Sequence, residues 1–373
     1  MMLFRQERNY RRHRFIRADD NQALIASVSP VRNVKTLRSK SQFLRDVTKL
    51  RGDLQFAVSL EHFTIPPYLC ALYSIREGSN AEAARIIQSV VVEEMLHMTL
   101  AANVLNAVGG KPKIGSRKWA PVYPSDMPHS AIRFKVNLLR FSKEAVNTFL
   151  RIERPAPPTE VPKPGKFGSI GQFYEAVRGE LRRLDREKGI FRSKQNQVTG
   201  EHYYYDSGGK LFGVDCLHDA EQALDEIVGQ GEGIDGSIKD GDGASFGDGI
   251  EYAHYFRFNE IFHERRYRAE DKPGDAPSGD PLPVDWNAVY NMVPNPKMSM
   301  FRNKPAVHGR MREFNRMYTK LLANLHRACD GKPELLMDGI PMMHAMRLSA
   351  VDLMQEPCDI GDYTAGPSFE IVP

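Results

Sequence analysis

Ile87-Gln88-Ser89-Val90-Val91-Val92-Glu93-Glu94-Met95-Leu96-His97 is the stretch on which the fold turns. It lies in a run from Asn80 to Val108 whose apolar residues recur every three or four positions, the period of one helix face. The inner stripe reads Ile87, Val90, Val91, Glu94, His97, Ala101, Val104, Leu105 and Val108, so a carboxylate and an imidazole interrupt a core face. Three residues of α-helix turn about 300°, which puts Glu94 and His97 on one face, one turn apart, able to meet one metal ion. Unpaired charge on a buried stripe is costly. A bound cation removes that cost; pairing with Arg or Lys, or burial as a plain polar pair, is the bland alternative. Asn80 serves as the expected N-cap and Gly109-Gly110 as the stop.

Working outward, the preceding helical run carries Leu54, Ala57, Val58, Glu61, Ile65, Tyr68 and Leu72 on one face, with Glu61 again out of place among apolar neighbours. Pro66 and Pro67 follow and are expected to kink or break this helix and to free carbonyls on its inner side. Downstream, Glu251-Tyr252-Ala253-His254 repeats the Glu-x-x-His spacing on a helix expected from about Asp248 to Arg268. Two such motifs and one Glu from each of two further helices make the di-metal carboxylate arrangement of a four-helix bundle. Glu61 fills one single-Glu role. Glu175, Glu226 and Glu232 compete for the other. Glu232 is favoured, because in an antiparallel hairpin it lies level with Glu251, whereas Glu226 would sit about 9 Å away along the axis. The expected metal ligands are therefore Glu61, Glu94, His97, Glu232, Glu251 and His254. Glu260 and His263 share the spacing, but their nine-residue offset turns them to the opposite face, as a surface or lid pair. Asp240, Asp242, Asp248 and Glu251 occupy positions 1, 3, 9 and 12 of a calcium loop, but Ala244 and Ser245 stand where a ligand and a glycine are needed. A solvated loop over the site is the better reading.

The 373-residue chain, 41% hydrophobic, can form one large domain or two modest ones. Residues 1–38 read as a flexible basic leader with Arg5, Arg8, Arg11, Arg12, Arg14 and Arg17. Residues 39–268 read as the metal-binding bundle, interrupted by a Pro-rich insertion at 111–168 with a strand-like run near Ile132–Phe141. Further helices are expected at about 170–185 and 215–229. Residues 269–373 read as a C-terminal helical extension, with helices at about 307–328 and 334–355, packed on the bundle. A net charge of +4 gives no case for nucleic acid. No segment reaches the roughly 18 apolar residues that cross a membrane, and no signal peptide is visible, so a cytoplasmic location is expected. The four cysteines, Cys70, Cys216, Cys329 and Cys358, form no C-x-x-C pair or zinc framework.

Several of these motifs belong together. Leu60-Glu61-His62-Phe63-Thr64-Ile65-Pro66-Pro67-Tyr68-Leu69 resembles the opening of the ferritin-like domain of iminophenyl-pyruvate dimer synthases. Glu93-Glu94-Met95-Leu96-His97-Met98, Ala102-Asn103-Val104-Leu105-Asn106-Ala107-Val108-Gly109-Gly110, Gln230-Gly231-Glu232-Gly233, Ala253-His254-Tyr255-Phe256-Arg257-Phe258 and Gly366-Pro367-Ser368-Phe369-Glu370 continue the match over roughly residues 40–371. The resemblance implies a mainly α, ferritin-like four-helix bundle and metal-dependent oxidative chemistry. The best-known relatives serve bisindole pigment pathways in secondary metabolism, joining two imines made by an upstream flavin amino-acid oxidase. They are longer than this chain, which is similar to a stand-alone short member.

The first expectation is thus an oxidoreductase using iron, as a di-iron centre, with manganese or a single metal as the variants. Its substrate would be a small organic molecule, with amino-acid-derived imines the first class to try, and no nucleic acid or membrane partner is expected. Homo-oligomers are compatible with this. A non-catalytic or iron-storage-type metal binder is the alternative, and a helical interaction protein with buried Glu–His pairs the third reading. Tyr68, Tyr255 and Phe258 are read as core aromatics or as walls of a pocket for a flat substrate.

Overall fold

The computed structural model describes residues 39–155, 165–200, 209–234, 236–243 and 250–373. The basic leader lies outside the described residues. Four long helices close a bundle: α1 (Lys40–Ser74), α2 (Ala81–Ala107), α4 (Ile170–Lys188) and α5 (Leu217–Glu232). Helix α1 packs along α2, α4 along α5, α2 against α5 and α1 against α4. Two short helices, α3 (Lys143–Ile152) and α6 (His254–His263), pack on each other and against α1 and α2. Helices α7 (Pro305–Cys329) and α8 (Gly339–Met354) form a further pair laid on α2 and α1. The sheet content is slight: β1 (Ser125–Asp126) with β2 (Lys135–Val136), and β3 (Lys239–Gly243) with β4 (Ile250–Tyr252), both antiparallel. The strand-like run at 132–141 thus yields two paired residues. No helix among the described residues is long and apolar enough to cross a membrane.

Helix α1 does not break at Pro66-Pro67; it continues to Ser74. Pro67 has no N–H to give the Phe63 carbonyl, four residues back. The hydroxyl of Tyr123, from the insertion, donates to that carbonyl at 2.6 Å instead. Its ring stacks on Phe63 at 5.2 Å. The lost helix bond is replaced by a tertiary one, and the helix survives because it is buried on most sides over this stretch.

Helix α2 ends as expected at its glycines. Gly109 takes φ of 74°, and Gly110 N–H bonds back to Leu105 O at 2.8 Å. A Cβ on Gly110 would lie 2.1 Å from Leu105 Cδ1. At the other end Asn80 holds the cap position but makes no side-chain cap. Its amide is spent on Asp285, through Nδ2 to the carbonyl at 2.9 Å and Oδ1 from the amide at 2.8 Å. Within α2, Asn103 Nδ2 donates to Val198 O and Phe212 O, and Asn106 Nδ2 to Asn196 O and Cys329 O. These two side chains tie irregular segments to the bundle, and this explains polar residues in the otherwise apolar run 101–108.

Helix α3 lies inside the segment expected to be irregular. Ser142 caps it, accepting from Ala145 N, and Ala145, Val146, Phe149, Leu150 and Ile152 form its buried face. Helix α6 starts later than expected. Ile250–Tyr252 pairs as β4 with β3, Ala253 N–H bonds to Ile238 O at 3.0 Å, and the helix opens only at His254.

Tyr123→Phe should leave Phe63 O buried without a donor. The expected loss is about 1–3 kcal/mol, read as a lower denaturant midpoint at unchanged slope. An unchanged midpoint would show that the prolines need no such compensation.

Candidate metal centre

Five side chains converge in the buried interior. Glu61 comes from α1, Glu94 and His97 from α2, Glu153 from the C-cap of α3, and His254 from the first position of α6. Their exposures are 4% or less. His97 Nδ1 lies 3.8 Å from Glu61 Oε2 and 3.7 Å from Glu94 Oε1. His254 Nδ1 lies 2.9 Å from the same Glu94 oxygen and 3.6 Å from Glu153 Oε2. The two imidazoles face each other with centroids 5.4 Å apart and planes inclined by 22°. The ligand atoms of Glu61, Glu94 and His97 all lie within 4.8 Å of one another, and so do those of Glu94, Glu153 and His254. Glu94 belongs to both groups, so the site has two three-ligand halves joined by one carboxylate.

Every member is held from behind. Thr64 Oγ1 donates to Glu94 Oε2 at 2.6 Å. Tyr174 donates to Glu61 Oε1 at 2.5 Å, and Tyr68 donates to Glu153 Oε1. His97 Nε2 meets Gln230 Oε1 at 2.7 Å, and His254 Nε2 meets Glu93 Oε2 at 2.8 Å. Both partners are acceptors, so each ring donates from Nε2 and turns Nδ1 toward the carboxylates, where it holds a proton or, once that proton is lost, offers a lone pair. Glu93 is itself clamped by Arg257, whose Nη1 and Nη2 donate at 2.9 and 2.5 Å.

The charges are arranged for a cation. Burial raises the Glu94 pKa, the nearby Glu153 carboxylate adds to this, and the His254 ring beside it offsets the rise only in part. Burial alone would lower the two histidines. Glu153, Glu93 and Glu94 overcome it and hold His254 well above its usual range, and Glu61 with Glu94 raises His97. Glu93 behaves oppositely: burial pushes it up, but Arg257 and His254 prevail and hold it at about 2. His254 Nδ1 is fully buried yet aligned with no hydrogen-bond partner. A buried ring nitrogen without such a partner, facing carboxylates, fits a metal ligand better than a structural histidine. The donor set of carboxylate oxygens and imidazole nitrogens fits a divalent ion such as iron or manganese. The cysteines take no part: Cys70, Cys329 and Cys358 are buried and Cys216 is exposed, all as free thiols.

The structure brings together Glu61, Glu94, His97 and His254 of the sequence-derived set, puts Glu232 at the wall of the same cavity, and places Glu251 elsewhere. Glu251 lies on β4, not a turn below His254 on a helix, and its carboxylate accepts from Arg257 Nη1 at 3.0 Å. Glu232, the last residue of α5, lines the small cavity beside the centre with Glu61, Glu94, His97 and Glu153, but belongs to neither ligand group. Its Oε1 accepts from Gly171 N at 2.5 Å, at the start of α4. Of its rivals, Glu175 pairs with Arg178 and Glu226 accepts from Lys210 N. Glu260 is buried against Arg266 and Tyr267 N, and His263 is exposed. In the suspected calcium loop, Asp240 and Glu251 both serve Arg257, and Asp248 lies outside the described residues. Glu153 was not foreseen. Its signal was the Ser142 cap and the apolar spacing of 145–152, which ends at a carboxylate.

A second cavity neighbours the first and shares Ile170 with it. Phe56, Phe167 and Phe173 form its aromatic wall, and His129, Ser130 and Arg151 its polar side. The insertion therefore does wall a cavity beside the centre, whereas α7 and α8 line neither of the two. Tyr255 and Phe258 line neither cavity: Phe258 packs on Tyr68 and Phe149, and Tyr255 on Phe256.

A family model described as ferritin-like matches residues 54–263, more than half of the chain. The fold is similar to that of a crystal structure of a ferritin-like protein from Caulobacter vibrioides. That protein is 22% identical, with a TM-score of 0.59 over 87% of this chain and 98% of the other. At that identity the likeness concerns the fold. No curated protein matches the chain.

Losing a metal ligand should cost at least as much affinity as losing an outer partner, about tenfold. Glu153→Gln is therefore expected to strip most metal from protein purified without added metal, whereas Glu251→Gln retains it. Elemental analysis decides, and wild-type metal content in Glu153→Gln would remove Glu153 from the centre.

The pH dependence has a definite sign. In the metal-free protein Glu94, His97 and His254 bind protons more tightly than in the unfolded chain. The native state then holds more protons, so its stability falls as pH rises, beginning above 4.5 for Glu94 and above 6.5 for the histidines. A divalent ion displaces those protons, and its affinity rises over the same range. Melting curves with chelator and with manganese should diverge as pH increases; a metal-induced gain that shrinks with pH would contradict this charge arrangement.

Proposed function

The chain belongs to the ferritin-like family, and from that footing we propose that it is a two-metal oxidoreductase acting on a small organic molecule. The observation that carries this reading is the pair of buried ligand groups sharing Glu94, with His254 Nδ1 lacking any aligned protein partner. Iron is the metal proposed, with manganese as the nearest substitute. Held by Glu61, Glu94, His97, Glu153 and His254, iron would supply redox chemistry with dioxygen or peroxide.

The protein's own part is orientation and exclusion of water. Thr64, Tyr68 and Tyr174 fix the three carboxylates, and their hydroxyl protons stay in place because burial raises both tyrosines well above their usual range. Gln230 and Glu93 hold protons on the two Nε2 atoms, which keeps each Nδ1 free to ligate. The aromatic cavity next to the centre supports a flat substrate. Arg151, with its guanidinium 4.2 Å over the Phe134 ring, offers a charge for a carboxylate at the rim of that cavity. Together with the resemblance to iminophenyl-pyruvate dimer synthases, these features favour an imine derived from an aromatic amino acid. A flavin amino-acid oxidase would act upstream.

The test reconstitutes the protein with ferrous iron and follows dioxygen and peroxide consumption. Imines are generated in place from phenylalanine, tyrosine or tryptophan by an amino-acid oxidase whose own uptake is subtracted. Consumption should depend on the imine and vanish in His97→Ala. If iron loads fully, consumption never depends on an organic molecule, and a mineral core accumulates, a storage-type function replaces the enzymatic one.

A further inference from the structure

The two halves of the centre match closely apart from their surroundings. Each has an outer carboxylate bonded by a buried tyrosine, Glu61 by Tyr174 and Glu153 by Tyr68. Each has a histidine with Nδ1 facing inward and Nε2 held from behind, and both use Glu94. What differs is the group behind the histidine and the route to it. We propose that the position at Glu94, Glu153 and His254 fills first and holds its metal tightly, while the position at Glu61, Glu94 and His97 is the exchangeable one to which small molecules have access. This rests on the two-metal reading above and assigns distinct roles within it.

The first argument is electronic. Behind His97 stands a neutral amide, Gln230 Oε1 at 2.7 Å; behind His254 stands a carboxylate, Glu93 Oε2 at 2.8 Å. A carboxylate accepting the imidazole N–H pushes more electron density into the ring than an amide does, and makes the other nitrogen a stronger ligand. Glu93 cannot turn away, because Arg257 grips both of its oxygens. Arg257 does not cancel its effect either. The guanidinium is shared with Asp240 at 3.3 Å and Glu251 at 3.0 Å, so three carboxylates surround one cation. The ground behind His254 therefore stays net negative.

The second argument is access. The small cavity at the centre is lined by Glu61, Glu94, His97 and Glu153, with Gly171 and Glu232 at its wall, and His254 is not among its lining residues. Both histidines are buried, so what separates them is the cavity wall, which His97 joins and His254 does not. A ligand or incoming ion reaches the His97 half from this cavity. The cavity also touches Glu94 and Glu153, so an ion at the His254 half is shielded from it on the histidine side, and leaves more slowly. Glu232 does not reverse the ranking, since its Oε1 is bonded to the Gly171 amide at the N-terminus of α4, where the helix dipole offsets its charge.

The experiment titrates the full-length, metal-stripped protein with cobalt(II), followed by calorimetry and by the visible ligand-field absorption. Two steps are expected, the first at least about tenfold tighter. Crystals given one equivalent should show the anomalous peak beside His254. Glu93→Gln should weaken the first step by about 10–100-fold and leave the second unchanged. Gln230→Glu should tighten the second step. It and the half-loaded wild-type crystals carry the test should Glu93→Gln fail to fold. Two equivalents of equal affinity, or a first equivalent beside His97, would overturn the proposal and leave the two-metal reading intact. Uptake of one equivalent or none would overturn both.

Discussion

Like-charge repulsion in a buried space is the constraint from which the rest of the structure follows. Glu61 and Glu153 each face Glu94 in a helical interior where water cannot screen them. Two like unit charges about 4 Å apart repel by about 4 kcal/mol at an effective dielectric of 20. The net stability of a whole domain is only about 5–15 kcal/mol. Such a cluster cannot persist as three bare carboxylates. It must take up protons, as the raised Glu94 and His254 do, or a cation. The backing hydrogen bonds belong to the same problem. Tyr68, Tyr174 and Thr64 each give a donor to one carboxylate, so the surrounding shell supplies a hydrogen for every outward-facing oxygen the centre needs fixed.

Much of this was legible in the sequence, because charge on an apolar helical stripe is a strong signal. Glu61, Glu94 and His97 announced themselves through periodicity alone, and α2, which carries two of them, has nearly the expected limits. What failed was the assumption that each ligand rides on the long helices of the bundle. The helix expected from about Asp248 carried Glu251, but backbone pairing of β3 with β4 makes that residue part of a strand. Spacing of three then no longer meant one helix face. His254 stayed in the site because a helix begins at it, whereas Glu251 was turned onto Arg257. Glu153 was hidden by its place in the Pro-rich insertion, between Arg151 and the Arg154-Pro155 pair, where no helix was expected.

The two ligands delivered from outside the four long helices share a feature. Glu153 is the residue just past α3, and His254 is the first residue of α6. A side chain at a helix end can be aimed without the rest of its helix entering the core. This is how α3 and α6, each of ten residues, contribute to a site that the bundle alone leaves incomplete. It also explains Glu93, one position from a ligand and on another face of α2, which reaches the back of His254 and not the shared interior. Adjacent glutamates on one helix thus take separate tasks, one ligating and one orienting.

The insertion at 111–168 is bound up with this arrangement and is no ornament on the bundle. Proline at position 67 withdraws a donor from helix α1, and the freed Phe63 carbonyl, two residues past Glu61, is taken by Tyr123 of the insertion. The same insertion then contributes α3, whose end supplies Glu153, and the side chains of His129, Arg151 and Phe167 that wall the aromatic cavity. A continuous, fully bonded α1 would offer no backbone acceptor there. The prolines thus create the attachment point, the attachment brings the insertion against the Glu61 turn, and the insertion completes the second half of the centre. Removing any one of these would be felt at the others, because they are joined by directional bonds at named atoms and not by apolar contact alone.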